Sequence, residues 1–458
     1  GVLLNTDFID NSAGVDTSDH EVNIKILLNG EVQKKKLTLP ERNKLLAKMT
    51  DEVAQLVLND NYRQNQAISL MERMSVHRLG SKQHFIHTLE SQGLLDRQIE
   101  FLPSDAEIAE RKARGQGLTR PELAVLLSYS KIVLFQQLLD SDVPEDPYLS
   151  KELVRYFPQP LQAKYAKAME NHRLKREIIA TAVTNSMVNR MGATFTLRMT
   201  EDTGRTPAEV AEAYTIAREA VDARGLWAQI DALDGKVPES VQVDALQVIW
   251  HLLRSMSRWL LSRPGKMPEI TAAMARYGDG LKAVRGAVPG VLSAVRRDAF
   301  AARVAQWKEK GVPAALADQL AALPLLEFGC DIVEIALARK ASPVEVAKAY
   351  FALGAALSLP WLYEQVEQLP VDGRWQALAR GSLRDELATQ ARTIVAQILS
   401  DGGKKPAEAK VEAWLQRDDS ALRFTQAMFT DLQNQKALDY PTLSVAVRRL
   451  AQIGAAAE

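Results

Sequence analysis

The chain has 458 residues, 47% of them apolar, with 57 basic side chains against 57 acidic ones and a single cysteine, Cys330. That length and apolar content are enough for two or three packed units. The charge balance argues against a nucleic-acid partner, which needs a basic excess to neutralise phosphate, and one cysteine excludes an intrachain disulfide or a thiolate metal cluster.

The opening stretch "LLNTDFIDNSAGVDTSDHEVNIKILL" is rich in Asp and Asn yet flanked by apolar residues, unlike the small, expendable residues of most termini. Residues 2–9 read as a short strand. The "DNSAG" that follows carries turn chemistry, with side chains that bond to nearby backbone. Val22, Ile24, Ile26, Leu27 and Leu28 fit either period, and the reading is strand, sharp turn, helix, with the helix opening near Val15 or Ser18.

Beyond Leu39 the text is helical. Ser104 with Glu107, Thr119 with Glu122, Thr206 with Glu209 and Ser342 with Glu345 repeat one capping recipe. Pro207 and Pro343 sit just after such caps, and Pro238 and Pro406 are further helix openers. Leu46, Met49, Val53, Leu56 and Val57 form one apolar stripe, and Leu383, Leu387, Ile394, Ile398 and Leu399 another. "TEDTGR" (200–205) and "SDGGKK" (400–405) read as breaks. No apolar run approaches the ~18 residues that a membrane helix needs. The expected fold is mainly α, with a short α/β remnant at the N-terminus followed by a large multi-helix region.

Few residues announce chemistry. A G-x-G-x-x-G turn between strand and helix is absent. His84 and His87 share a helix face, with no third metal ligand in view; a surface or capping role is expected. Cys330 reads as a small core residue. "KKK" (34–36) and "NHRLKREI" (171–178) read as solvated faces, and the seven Trp as core anchors. The opening is the exception. Polar side chains crowd a strand-to-helix turn, where unpaired helix N–H groups would favour a carboxylate. A self-satisfied network of Asx turns and a cap would leave the same residues with no ligand.

The stretch "NTDFIDNSAGVDTSDHEVNIKILL" closely resembles the large bacterial NAD-dependent glutamate dehydrogenases. So do "ERNKLLAKMTDEVAQLVLNDNYRQNQA", "GLTRPELAVLLSYSK", "DPYLSKELVRYFP" and "HRLKREIIATAVTNSMVNRMGATF". The likeness is specific over residues 3–205 and more diffuse afterwards. It implies the C-terminal portion of a much longer enzyme that deaminates L-glutamate to 2-oxoglutarate with NAD. In that superfamily an Asn-Ala-Gly-Gly-Val segment with a following Ser closes the cleft; here it stands as "NSAGVDTS". By resemblance Asn11 lies against the nicotinamide end of the cofactor, Gly14 and Val15 shape the helix start, and Ser18 binds the side-chain carboxylate of glutamate. Ser12 and Ala13 depart from the usual Ala and Gly. Asp10, Asp16, Asp19 and His20 are further polar neighbours without an assigned role.

The lysines and aspartate of catalysis, and the Gly-rich turn for the dinucleotide, are expected upstream. The division implied is a piece of catalytic domain over 1–38, a helical region packed beside it over 39–204, and a C-terminal helical domain over 205–458. Self-association as a homo-oligomer, a cytoplasmic location, and no metal, membrane or nucleic acid complete the expectation. The competing reading is a non-catalytic helical interaction module.

Overall fold

The computed structural model describes residues 3–371, 374–400, 405–435 and 437–455. The chain is mainly α, and among the described residues there is no strand. By packing it divides into two compact units, Gly1–Tyr214 and Thr215–Glu458, and the division falls inside a helix.

The first unit runs α1 (Asp7–Asp10), α2 (Ala13–Gln33), α3 (Leu39–Lys48), α4 (Thr50–Arg73), α5 (Leu79–Ser91), α6 (Asp105–Ala113), α7 (Arg120–Leu139), α8 (Ser150–Tyr156), α9 (Gln159–Met169), α10 (Lys175–Met191), α11 (Phe195–Thr203) and α12 (Pro207–Ala220), which crosses the division. Its centre is α10, which packs on α4, α7 and α8. Leu123, Leu126, Leu127 and Leu138 on α7 and Ile179 and Met187 on α10 are wholly buried. Each such side chain contributes about 1.5–3 kcal/mol. By length and composition α7 is apolar enough to cross a membrane. Its interspersed Ser, Tyr and Lys keep it from reading as an unbroken apolar run. Here it is the core helix of its unit.

The second unit continues with α13 (Ala223–Asp231), α14 (Glu239–Leu261), α15 (Ile270–Ala287), α16 (Ala294–Glu309) and α17 (Ala314–Ala322), then a 3-10 segment, Leu323–Phe328. It ends with α18 (Gly329–Arg339), α19 (Pro343–Ala356), α20 (Leu359–Gln368), α21 (Arg374–Ile398), α22 (Ala407–Leu415), α23 (Ser420–Gln433) and α24 (Tyr440–Ala455). Here α19 packs on α15, α18, α21 and α22, and α21 pairs with α24.

The strand expected over residues 2–9 does not form. Val2 lies outside the described residues, residues 3–6 have no regular structure, and Asp7–Asp10 makes one helical turn. With no neighbouring strand, extended backbone there would have no ladder to pair with. The helix opens at Ala13, with Ser12 at the cap, ahead of the expected Val15 or Ser18.

Ser104, Thr119 and Thr206 meet Glu107, Glu122 and Glu209 as the capping recipe requires. Thr38 and Glu41 add a box the sequence reading missed. Ser342 instead accepts the Val344 N–H, and Glu345 turns to Lys348. Gly204, in left-handed backbone, ends α11 within the first expected break; the second falls largely on 401–404, outside the described residues. Trp227, Trp250 and Trp414 are core anchors, whereas Trp375 is 79% exposed.

Candidate functional site

The site is built on the first two turns of α2. The helix buries Ile24, Leu27 and Leu28 with His20, Asn23 and Glu31, a 3.6-residue stripe that lies on α4. That stripe resolves the ambiguous apolar pattern in favour of helix. Buried His20 and Asn23 at its upper end fix which face of the first turns looks outward.

Asn11, Gly14, Val15 and Ser18 are on the outward face, all exposed. Asn11 ends α1 and gives its backbone N–H to the Asp7 carbonyl. Gly14 has ordinary helical backbone, and a Cβ there would meet open space. The Ser12 side chain caps no N–H, so the first N–H groups of α2 point outward unpaired by a cap. A helix start of that kind attracts a carboxylate or phosphate oxygen. Exposed apolar side chains flank it along the chain: Leu3, Leu4 and Phe8 before the helix, Val15 at 80% exposure in its first turn, and Val22 further along.

Beneath this face the structure assigns work to the polar neighbours. Asp10 accepts both the Asn5 backbone N–H and the Asn5 side-chain amide, at 2.9 and 2.6 Å. Asn5 in turn donates to Asn65 at 2.6 Å and accepts from Arg120 at 3.1 Å. Asn61 donates to the Ile9 carbonyl at 2.7 Å. Asp10 thus braces the entry loop against α4 and α7. Asp19 accepts the Tyr156 hydroxyl at 2.8 Å, and His20 stacks on the Tyr156 ring at 4.6 Å.

Asp16 faces a different cluster, with His20, Asp60 of α4 and Lys131 of α7. Burial, then the Asp60 and Asp19 carboxylates, push the Asp16 carboxyl up to about 6. Burial pulls the Lys131 ammonium down to about 8 against the opposing pull of Asp60 and Asp16. Two proton-carrying groups therefore bracket neutrality just under the exposed face, where proton exchange is easiest to drive. Asp16, His20 and Asp60 each offer one ligand atom within 4.8 Å of the others, a spacing that could hold a cation. The neighbouring Lys131 already supplies positive charge to the two carboxylates.

Asp60 and Lys131 escaped the sequence reading. Lys131 left a signal, as the sole charge between Glu122 and Asp140 in an apolar helix. Asp60 left none, because acids are ordinary on a polar helix face.

The other candidates are placed elsewhere. His84 meets Glu201 at 2.6 Å and His87 meets Asp105 at 2.8 Å, two separate pairs rather than one site. Cys330 is fully buried, and burial pushes its thiol well above the usual range, as a core residue requires. In the 171–178 cluster His172 is buried against the Asn23 carbonyl and Arg176 pairs with Glu145. Lys34 pairs with Glu31.

The family described as "Glutamate dehydrogenase, C-terminal" matches residues 115–452, about three-quarters of the chain. The chain belongs to that family. A second family, "Bacterial NAD-glutamate dehydrogenase, catalytic domain", matches residues 1–71, which include α2 and the whole exposed face. Among relatives of this glutamate dehydrogenase family, the protein of Pseudomonas aeruginosa named NAD-specific glutamate dehydrogenase is 43% identical over 451 residues, 98% of this chain. The one of Halomonas elongata with the same name is 41% identical over 99% of the chain, and that of Mycobacterium tuberculosis 33% over 98%. The chain spans 28% of the length of each of these relatives.

Proposed function

We propose that this chain is the C-terminal part of an NAD-dependent glutamate dehydrogenase, which oxidatively deaminates L-glutamate to 2-oxoglutarate and ammonia. The observation that carries this reading is the end-to-end match, over 98% of the chain, to relatives named NAD-specific glutamate dehydrogenase. The catalytic-domain family matches residues 1–71, a stretch that includes the exposed start of α2, and this supports placing the cleft there.

On this reading residues 1–38 complete a catalytic domain whose other walls come from upstream. Residues 39–204 buttress it, and 205–458 form a separate helical domain for structural support or regulation. Ser18 donates its hydroxyl to the side-chain carboxylate of glutamate, helped by the α2 N-terminus. Asn11 stands against the nicotinamide end of the cofactor, and the Gly14–Val15 backbone shapes the wall beside it. These residues fit that work because they are exposed and the helix start is uncapped. NAD, when bound, supplies the hydride acceptor. Asp16 and Lys131 are placed to tune charge beneath the wall and do not touch substrate. A homo-oligomer in the cytoplasm is the expected setting.

The test is glutamate-dependent NADH formation, followed by absorbance, in the full-length natural chain and in the 458 residues alone. Activity in the long chain and none in the short one is expected. A folded, inactive long chain would overturn the assignment and leave a helical interaction module.

A further inference from the structure

The second unit holds a cavity of about 340 Å³, within the size range of small-molecule sites. It lies between α16, the 3-10 segment, α19 and α20. Its walls are apolar and aromatic: Phe328, Tyr350, Phe351, Leu359 and Tyr363. Two arginines of α16, Arg296 and Arg303, reach into it from one helix face, seven residues apart.

These arginines are unusual for the molecule. Both are half-buried, yet neither guanidinium makes a hydrogen bond or ion pair among the described residues; Arg296 lies over the Phe351 ring, 5.7 Å from its centroid, which leaves its N–H groups unmet. By contrast Arg258, Arg276, Arg384 and Arg392 of the same unit all meet carboxylates. No Asp or Glu is among the residues lining the cavity. Burial holds both guanidinium groups below their ordinary range, and Arg303 adds its repulsion to Arg296. Burying two like charges without an acid costs free energy that a bound anion would recover. The Tyr350 and Tyr363 hydroxyls are also buried, beside each other and without a hydrogen bond of normal geometry.

From Arg296 and Arg303, which meet no acid at an apolar, aromatic cavity, we infer a binding site for a small amphipathic anion, a carboxylate carrying an apolar body. The carboxylate sits on the guanidinium groups and the body lies along Phe328, Phe351 and Leu359. The site is built from residues of the second unit alone, so it does not rest on the dehydrogenase reading.

Isothermal titration of the full-length protein with octanoate tests it, with octanol and inorganic phosphate run as the apolar-only and anion-only probes. Saturable octanoate binding is expected, with octanol and phosphate each at least ~10-fold weaker, since loss of a charge-assisted contact costs about that factor or more. Arg296→Gln with Arg303→Gln should abolish the preference of octanoate over octanol. Ala299→Trp, which fills the mouth and leaves both arginines, should block octanoate while the circular dichroism stays unchanged. The inference is overturned if octanoate does not bind, if octanol binds as well as octanoate, or if the folded double variant keeps the preference.

Discussion

Ser18 and Lys82 show how differently single residues report on this protein. Ser18 is exposed and makes no side-chain hydrogen bond among the described residues. On the proposed dehydrogenase reading, Ser18→Ala in the full-length protein should cut kcat/KM for glutamate by about 10- to 100-fold, the cost of a hydrogen bond to a charged group. Its melting curve should not move, since exposed positions away from caps and cores change stability little. A kinetically silent variant would remove Ser18 from the site.

Lys82 is 4% exposed in α5 and makes no ion pair among the described residues. Burial, then Arg78, pulls its ammonium down to about 7. The folded pKa is depressed below the unfolded 10.5, so the unfolded chain binds the extra proton between those values. Stability from this group is therefore full above about 10.5 and is lost as pH falls through about 7. Lys82→Met should stabilise the protein at pH 6–7 by a few kcal/mol, up to about 5, and the gain should shrink toward pH 10. Thermal melts of both proteins at pH 6 and pH 9 check this; a pH-independent difference would mean Lys82 is solvated.

Between elements, glycine decides one crossing. A Cβ on Gly280 of α15 would come within 2.7 Å of Val333 on α18, and one on Gly329 of α18 within 2.4 Å of Leu281 on α15. Each helix thus needs a missing side chain where the other presses against it. Gly280→Ala and Gly329→Ala should each cost about 1–3 kcal/mol through overpacking. Gly286→Ala, in the same α15 but facing open space, should instead stabilise by roughly 0.5–1 kcal/mol through helix propensity. Denaturant midpoints of the three variants check this, and equal effects would show that α15 and α18 do not meet so closely.

The capping recipes were legible because a cap is a local bargain between residues three apart. Ser342 shows the limit: Lys348 took Glu345 as a partner, one turn further along. α2 was half legible. Its apolar residues suited either period, and packing against α4 chose the helix.

At the scale of the molecule, Leu3, Leu4, Phe8, Val15 and Val22 are five exposed apolar side chains within 20 residues of the α2 start, a concentration that in larger assemblies is usually covered. If the proposed cleft is formed there, the backbone amides of residues 13–16 should exchange hydrogen at least ~10-fold more slowly in the full-length protein than in the 458-residue chain, provided both are folded by circular dichroism. Equal exchange would mean that no catalytic wall stands against this face.

By itself the sequence determined the helical character, several helix starts, the burial of Cys330, and the stretch on which the candidate residues lie. These depend on propensity, spacing and capping within a turn or two. Only the tertiary structure decided that residues 3–10 form no strand, that Asp60 and Lys131 join Asp16 and His20, and that Arg296 and Arg303 lack an acid. Those facts concern partners 40 or more residues apart, or the lack of one, and no local pattern records where distant helices bring their side chains together.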